Sequence, residues 1–179
     1  MTKTIGDNTN IRTLHLKPGV IVWYCQIREI LNTIFSKTSY HNNRPLVNEL
    51  FQKQDFKPGL YSRKELLTAN GFKAFKKQIE WLSGRFLVKS MIHDLFLPKT
   101  PLSDISLGAL DEGAPFIIPM PDLPLSLSHS YDYTAAAVCA DRTKTIGLAL
   151  DKIRPKPDAA FMKTACTKAE MDHMPDGAE

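Results

Sequence analysis

The sequence predicts an α+β fold in which short antiparallel strands pack on one long helix. Two observations carry this prediction. Apolar residues from Leu66 to Ile92 recur at helical spacing, and from Leu125 onward the pattern switches to alternation broken by tight turns. A chain of 179 residues, 43% hydrophobic and 23% charged, can bury a core in one domain or two small lobes, which excludes wholesale disorder.

The first predicted element is a strand over 20–27, opened by Pro18-Gly19. Residues 36–61 are polar, carry Pro45, Pro58 and Gly59, and read as a connection with one short helix around 47–51. Ser62 followed three residues later by Glu65 is a capping-box signature, and Gly71 divides the helical pattern in two. The second helix is expected over 72–96, with Pro98 ending it. Residues 98–124 are rich in proline and glycine and read as loop. Three short strands then follow, around 125–129, 134–140 and 145–150, as an antiparallel meander against the long helix. The run Ala135-Ala136-Ala137 favours helix by propensity, but its bracketing by two turns favours strand. A last helix is expected over 159–172. The expected domain division is 1–61 for a first strand and variable region, 62–154 for the core lobe, and 155–179 for a last segment.

The formal charge is +4, yet Arg63, Lys64, Lys73, Lys76, Lys77, Arg85, Lys89 and Lys99 face only Glu65, Glu80 and Asp94 over the same stretch. That excess suits an anionic partner: a phosphorylated small molecule, an acidic protein or a nucleic acid. Arg85 and Lys89 are four residues apart, so one helix face can present both. Lys73, Lys76 and Lys77 read first as a solvated helix face. No aromatic residues are expected to interleave with the basic run on its polar face as single-strand stacking would need, which argues against nucleic acid. The longest apolar runs, such as residues 19–25, stop far short of the roughly 20 residues of a membrane-spanning helix. Residues 1–7 do not lead into the apolar stretch of a secretory signal, and Cys25, Cys139 and Cys166 lack metal-ligand spacing. A reduced cytoplasmic setting is the expectation.

Three patches in order carry a more specific signal: Glu80-Trp81-Leu82-Ser83-Gly84-Arg85-Phe86-Leu87-Val88-Lys89, Pro124-Leu125-Ser126-Leu127-Ser128-His129-Ser130, and Ile146-Gly147-Leu148-Ala149-Leu150-Asp151-Lys152-Ile153. Together they resemble the 4'-phosphopantetheinyl transferases, in particular the group that serves siderophore and other nonribosomal pathways. The first resembles that family's helix with a Gly-Arg pair, the second its Ser-His-Ser strand end, and the third its Gly-x-Asp-x-Glu strand.

The resemblance implies a transferase that moves the 4'-phosphopantetheine arm of coenzyme A to a serine of an acyl or peptidyl carrier protein with Mg²⁺. By position it assigns Arg85, Ser128 and His129 to the phosphates of coenzyme A and Asp151 to the metal, and Lys89, one turn on from Arg85, is expected within reach of the same phosphate. Its departures are equally specific. Ala149 stands where the family's first acidic residue falls, and Ala114 lies in Gly113-Ala114-Pro115 where the family often has a lysine. The family's Trp-x-x-Lys-Glu helix has no counterpart before Glu179, so the resemblance implies that 155–179 is the start of a truncated or absent second lobe. The alternatives that stay open are a non-catalytic relative that binds coenzyme A, a nucleotide or a partner protein, and a basic nucleic-acid module.

Overall fold

The computed structural model describes residues 9–35, 59–152, 164 and 166–169. Strand β1 (Arg12–Lys17) turns at Pro18-Gly19 into β2 (Val20–Gln26), with Gly19 at φ 80°, a conformation open chiefly to glycine. Helix α1 (Ile27–Ile34) follows directly, and its buried Ile27, Ile30, Leu31 and Ile34 repeat at i, i+3, i+4 and i+7. Helices α2 (Arg63–Asn70) and α3 (Phe75–Leu95) come next. A small antiparallel pair, β3 (Leu107–Ala109) and β4 (Pro115–Ile117), precedes the hairpin of β5 (Leu125–Ser130) and β6 (Tyr133–Cys139). The main sheet is antiparallel with the order β1-β2-β6-β5.

The α+β architecture, an antiparallel sheet packed on a long helix, is therefore observed. Helix α3 packs on the sheet face that carries Trp23, Cys25, Leu125, Ala136 and Val138. Strand β6 sits at the centre, and its Ala135, Ala136 and Ala137 are all buried. Small side chains there let a helix approach on one side, so tertiary packing overrides alanine's helical preference.

The boundary between α2 and α3 falls where glycine and the capping box place it. Ser62 Oγ accepts from the Glu65 N–H, and Glu65 Oε2 accepts from the Ser62 N–H at 2.8 Å. The long helix starts at Phe75 rather than at 72, because the Phe72 N–H turns back to the Ala69 carbonyl and Gln78 Nε2 donates to the Phe72 carbonyl.

Other expectations are corrected or extended. The third strand over 145–150 does not form a ladder. Its Leu148 and Leu150 N–H groups donate instead to Ser126 Oγ and Ser128 Oγ, each at 3.0 Å. Because 126 pairs with 148 and 128 with 150, the segment also runs in the same direction as β5, and the meander ends at two strands. Strand β1, helix α1 and the β3–β4 pair are additional elements. The helix around 47–51 lies outside the described residues, as does most of the helix over 159–172. No helix among the described residues is long and apolar enough to cross a membrane.

Two measurements test this packing. A Cβ at Gly84 would lie 2.9 Å from Leu127 Cδ2 and 3.2 Å from Cδ1. Gly84→Ala gains roughly 1 kcal/mol of helix propensity, but overpacking of a filled core costs about 1–3 kcal/mol. Urea denaturation should therefore show G84A less stable by about 1 kcal/mol and G84V less stable still. A G84A protein more stable than the parent would refute the close helix–strand approach.

The second measurement concerns Cys25. Burial first, and then its hydrogen bond to Glu29 Oε2, push the thiol up to about 12 from an ordinary value of 9.0. A folded pKa above the unfolded one gives stability that is present below pH 9 and lost as pH rises from there toward 12. The stability difference between parent and Cys25→Ser, followed by denaturation from pH 8 upward, should fall through this window. A difference independent of pH would mean that the thiol is not protected.

Candidate functional site

The candidate site is a cleft of about 340 Å³ between the first half of α3 and the end of β5. Lys76, Lys77, Glu80, Trp81, Arg85, Leu127 and His129 line it, together with Ala74. Residues 77, 81 and 85 follow one another at i+4, and 76 and 80 do the same one position earlier. A single helical stripe thus supplies most of the wall. His129 belongs to the face of β5 that also bears Leu125 and Leu127, so the strand delivers it beside the helix.

Arg85 dominates the electrostatics. Its guanidinium carbon lies 3.5 Å from the centre of the Trp81 ring, a stacked cation–π contact. Its Nε is buried with no hydrogen-bond partner, and no carboxylate among the described residues forms an ion pair with it. Desolvation pulls its pKa down to about 10 from 12.5, against the opposing pull of Glu65 and Tyr61. The cleft wall therefore holds a poorly solvated cation whose charge is not matched locally.

The remaining charges are arranged more loosely. Glu80 Oε1 lies 3.6 Å from Lys76 Nζ, and Glu80 Oε2 lies 3.7 Å from His129 Nδ1. These are long ion-pair distances at the edge of the cleft. Lys76 is 75% exposed, so its pair with Glu80 contributes little to stability and leaves the ammonium free to move.

Of the residues singled out by sequence, the structure brings Arg85 and His129 together and places the others elsewhere. Lys89 is fully buried, and its Nζ donates to Glu65 Oε2 at 2.6 Å. Burial lowers the Lys89 pKa while Glu65 opposes the shift. Only Arg85 of the expected Arg85 and Lys89 face lines the cleft, because Lys89 sits within the apolar run Phe86-Leu87-Val88 and Met91-Ile92. Ser128 lies on the opposite side of β5 from His129, its hydroxyl engaged by the Leu150 N–H. Asp151 is exposed, and its Oδ1 accepts from Ser130 Oγ at 3.3 Å and from the Lys152 N–H at 2.7 Å. Ala114 occupies the exposed turn between β3 and β4, where its carbonyl accepts from the Leu110 N–H.

Sequence reasoning gave no role to Trp81 or Glu80 and read Lys76 and Lys77 as a solvated face. The i+4 spacing of Trp81 and Arg85 was the signal that could have paired them.

Among the described residues, the donors near Asp151 do not fit a Mg²⁺ held by the protein. Ala149 is exposed and has no side-chain oxygen, and Asp151 offers one carboxylate that already accepts two hydrogen bonds. Among the described residues, no three of His, Cys, Asp and Glu gather in a geometry that could hold a metal.

No protein-family model matches the sequence, and no curated protein matches it. Among solved structures, the chain is similar to a holo-(acyl-carrier-protein) synthase from Bacillus anthracis str. Ames in complex with CoA (3',5'-ADP). The TM-score is 0.46 at 18% identity, over 67% of this chain and 92% of that one. It is also similar to the holo-[acyl-carrier-protein] synthase from Neisseria meningitidis, with a TM-score of 0.45 at 15% identity, over 69% of this chain and 97% of that one.

Calorimetric titration of Mg²⁺ alone should give no measurable binding to the parent, because a strongly hydrated ion sheds water only for several well-placed oxygens. Ala149→Asp should introduce binding by adding a carboxylate two residues from Asp151. Tight binding to the parent would show that other residues hold the ion.

Proposed function

We propose that this chain acts in 4'-phosphopantetheine transfer and that its cleft receives phosphate of coenzyme A. One observation carries this reading: the partly desolvated Arg85 guanidinium, stacked on Trp81 and without a carboxylate partner among the described residues, in a wall shared with Lys76, Lys77 and His129. A phosphate oxygen would give Arg85 charge-assisted hydrogen bonds that no described residue supplies. Lys76 and Lys77 would add field rather than fixed geometry, since long exposed lysines act as mobile point charges. The order of the Gly84-Arg85, Ser128-His129-Ser130 and Gly147 to Asp151 patches supports the same family of reactions.

In such a transfer the hydroxyl oxygen of a carrier-protein serine attacks the phosphorus that bears the pantetheine arm. A new P–O bond to serine forms as the bond to the adenosine 3',5'-bisphosphate breaks, and the serine proton leaves to a base. Negative charge accumulates on the departing bisphosphate. A guanidinium partly withdrawn from bulk water interacts with that charge more strongly than a fully solvated one would. The acceptor would be an acyl or peptidyl carrier protein. No step is assigned to Mg²⁺, for which the described residues supply too few oxygens.

A second reading, binding of coenzyme A without transfer, is favoured by one feature: residues 149–151 present a single carboxylate, on Asp151.

Calorimetry should detect coenzyme A binding to the parent, and Arg85→Ala should weaken it by about 1.5–3 kcal/mol, the range for a charged hydrogen bond. Equal affinities would remove Arg85 from the site. Incubation with coenzyme A, Mg²⁺ and apo carrier proteins, read by intact mass, separates the two readings. Transfer adds one phosphopantetheine arm, about 340 Da, to the carrier. Binding without that gain supports the non-catalytic reading.

A further inference from the structure

A carboxylate that pairs with an arginine bidentately fixes its plane but consumes two of its donors. Arg85 has no such partner among the described residues. Glu80, the carboxylate that shares the cleft wall with it, lies instead toward Lys76 and His129. What lies against the guanidinium is the Trp81 ring at 3.5 Å. Stacking fixes the plane of a guanidinium while leaving its in-plane N–H groups unused.

The ring is itself braced. Trp81 packs against the buried core, and Phe72 stands 5.9 Å from it, centre to centre, tilted by 59°. Phe72 is in turn held through its carbonyl by Gln78 Nε2 at 2.7 Å, and Lys77 Nζ lies 5.1 Å over its ring. A chain of contacts thus runs from Gln78 through Phe72 and Trp81 to Arg85.

From this we infer that Trp81 is a positioning residue: its indole orients Arg85 so that the unused N–H donors face a phosphate entering the cleft. The inference rests on reading the cleft as a phosphate site. It goes further by making the affinity of that site depend on a residue that need not touch the ligand.

The test is a double-mutant cycle read with two probes, coenzyme A and inorganic pyrophosphate, by calorimetry on the full chain. Trp81→Leu should weaken binding of the parent's ligand about tenfold, within the range of a desolvated cation–π contact. Trp81→Phe, which keeps a ring, should recover most of the loss. In an Arg85→Ala background, Trp81→Leu should change affinity by less than about twofold, because the two residues act as one unit. A purely structural effect of losing the indole would persist in that background. If W81L does not fold, as judged by thermal melting, Trp81→Met takes its place, keeping apolar bulk without a ring. Full additivity of the two substitutions, or W81L affinity equal to the parent's, would overturn the inference. Pyrophosphate binding without coenzyme A binding would end the coenzyme reading while the cycle still judged Trp81. Binding of neither probe would overturn both.

Discussion

The close approach of α3 to β5 at Gly84 sets the geometry of everything around the cleft. Leu127 occupies the space that a side chain at 84 would need, so helix and strand come nearer there than two ordinary residues allow. That contact fixes the height of the helix along the strand. One residue on from Gly84, Arg85 emerges beside Leu127, and two residues on from Leu127, His129 emerges beside Glu80. The cleft is the space left where the sheet surface ends and the helix continues. Its shape follows from one glycine and one leucine more than from any polar interaction.

The same helix treats its two cations in opposite ways. Lys89 is enclosed and directly paired, whereas Arg85, one turn earlier, is half-buried and has no bonded anion among the described residues. Glu65 links the two. Its Oε2 accepts from both Lys89 and the Ser62 N–H, so one carboxylate caps α2 and ties it to α3. Arg85 feels Glu65 only through space. Two positive charges therefore share the influence of one negative charge, and Glu65 Oε1 remains buried without a partner. Removing one side of a buried pair typically costs about 3–5 kcal/mol, so Lys89 is bound to a structural task. The unmatched positive charge is left on Arg85, where a ligand can reach it.

Much of the scaffold was legible in the sequence. The capping box at Ser62 and Glu65, the break at Gly71, the stop before Pro98, and the strands at 20 and 125 onward all depend on local chemistry, and local chemistry is what a sequence displays. Helix α1 was missed although Ile27, Ile30, Leu31 and Ile34 repeat with helical spacing, because β2 runs into it without a turn residue to mark the change. Strands β3 and β4 are three residues each, too short for any period to register. Within the site, the spacing of Arg85 and Lys89 correctly put both on α3, but spacing cannot say which of two neighbouring cations faces a distant glutamate. The apolar residues flanking Lys89 on both sides were the available sign that it is interior.

Strand β5 explains why the sequence patch Ser128-His129 divides in three dimensions. Consecutive residues of a strand point to opposite faces, so Leu125, Leu127 and His129 turn toward α3 while Ser126, Ser128 and Ser130 turn away. The serines then hold the segment that follows β6: two accept its amides, and Ser130 donates to Asp151. Ile146, Leu148 and Leu150 are half-buried while Gly147 and Ala149 are exposed, which preserves the alternation of a strand without its ladder. Hydroxyls thus replace the main-chain partners that a neighbouring strand would have offered, and this satisfies the Leu148 and Leu150 amides at the sheet edge. One face of β5 is used to anchor chain, and the other contributes to the cleft. His129 stands with Arg85, and Asp151 stands with the serines, so the described side chains that line the cleft are mostly basic, with Trp81, Leu127 and Ala74 as apolar wall and Glu80 as the carboxylate among them. Such a surface is suited to receiving an anion and poorly suited to holding a metal ion.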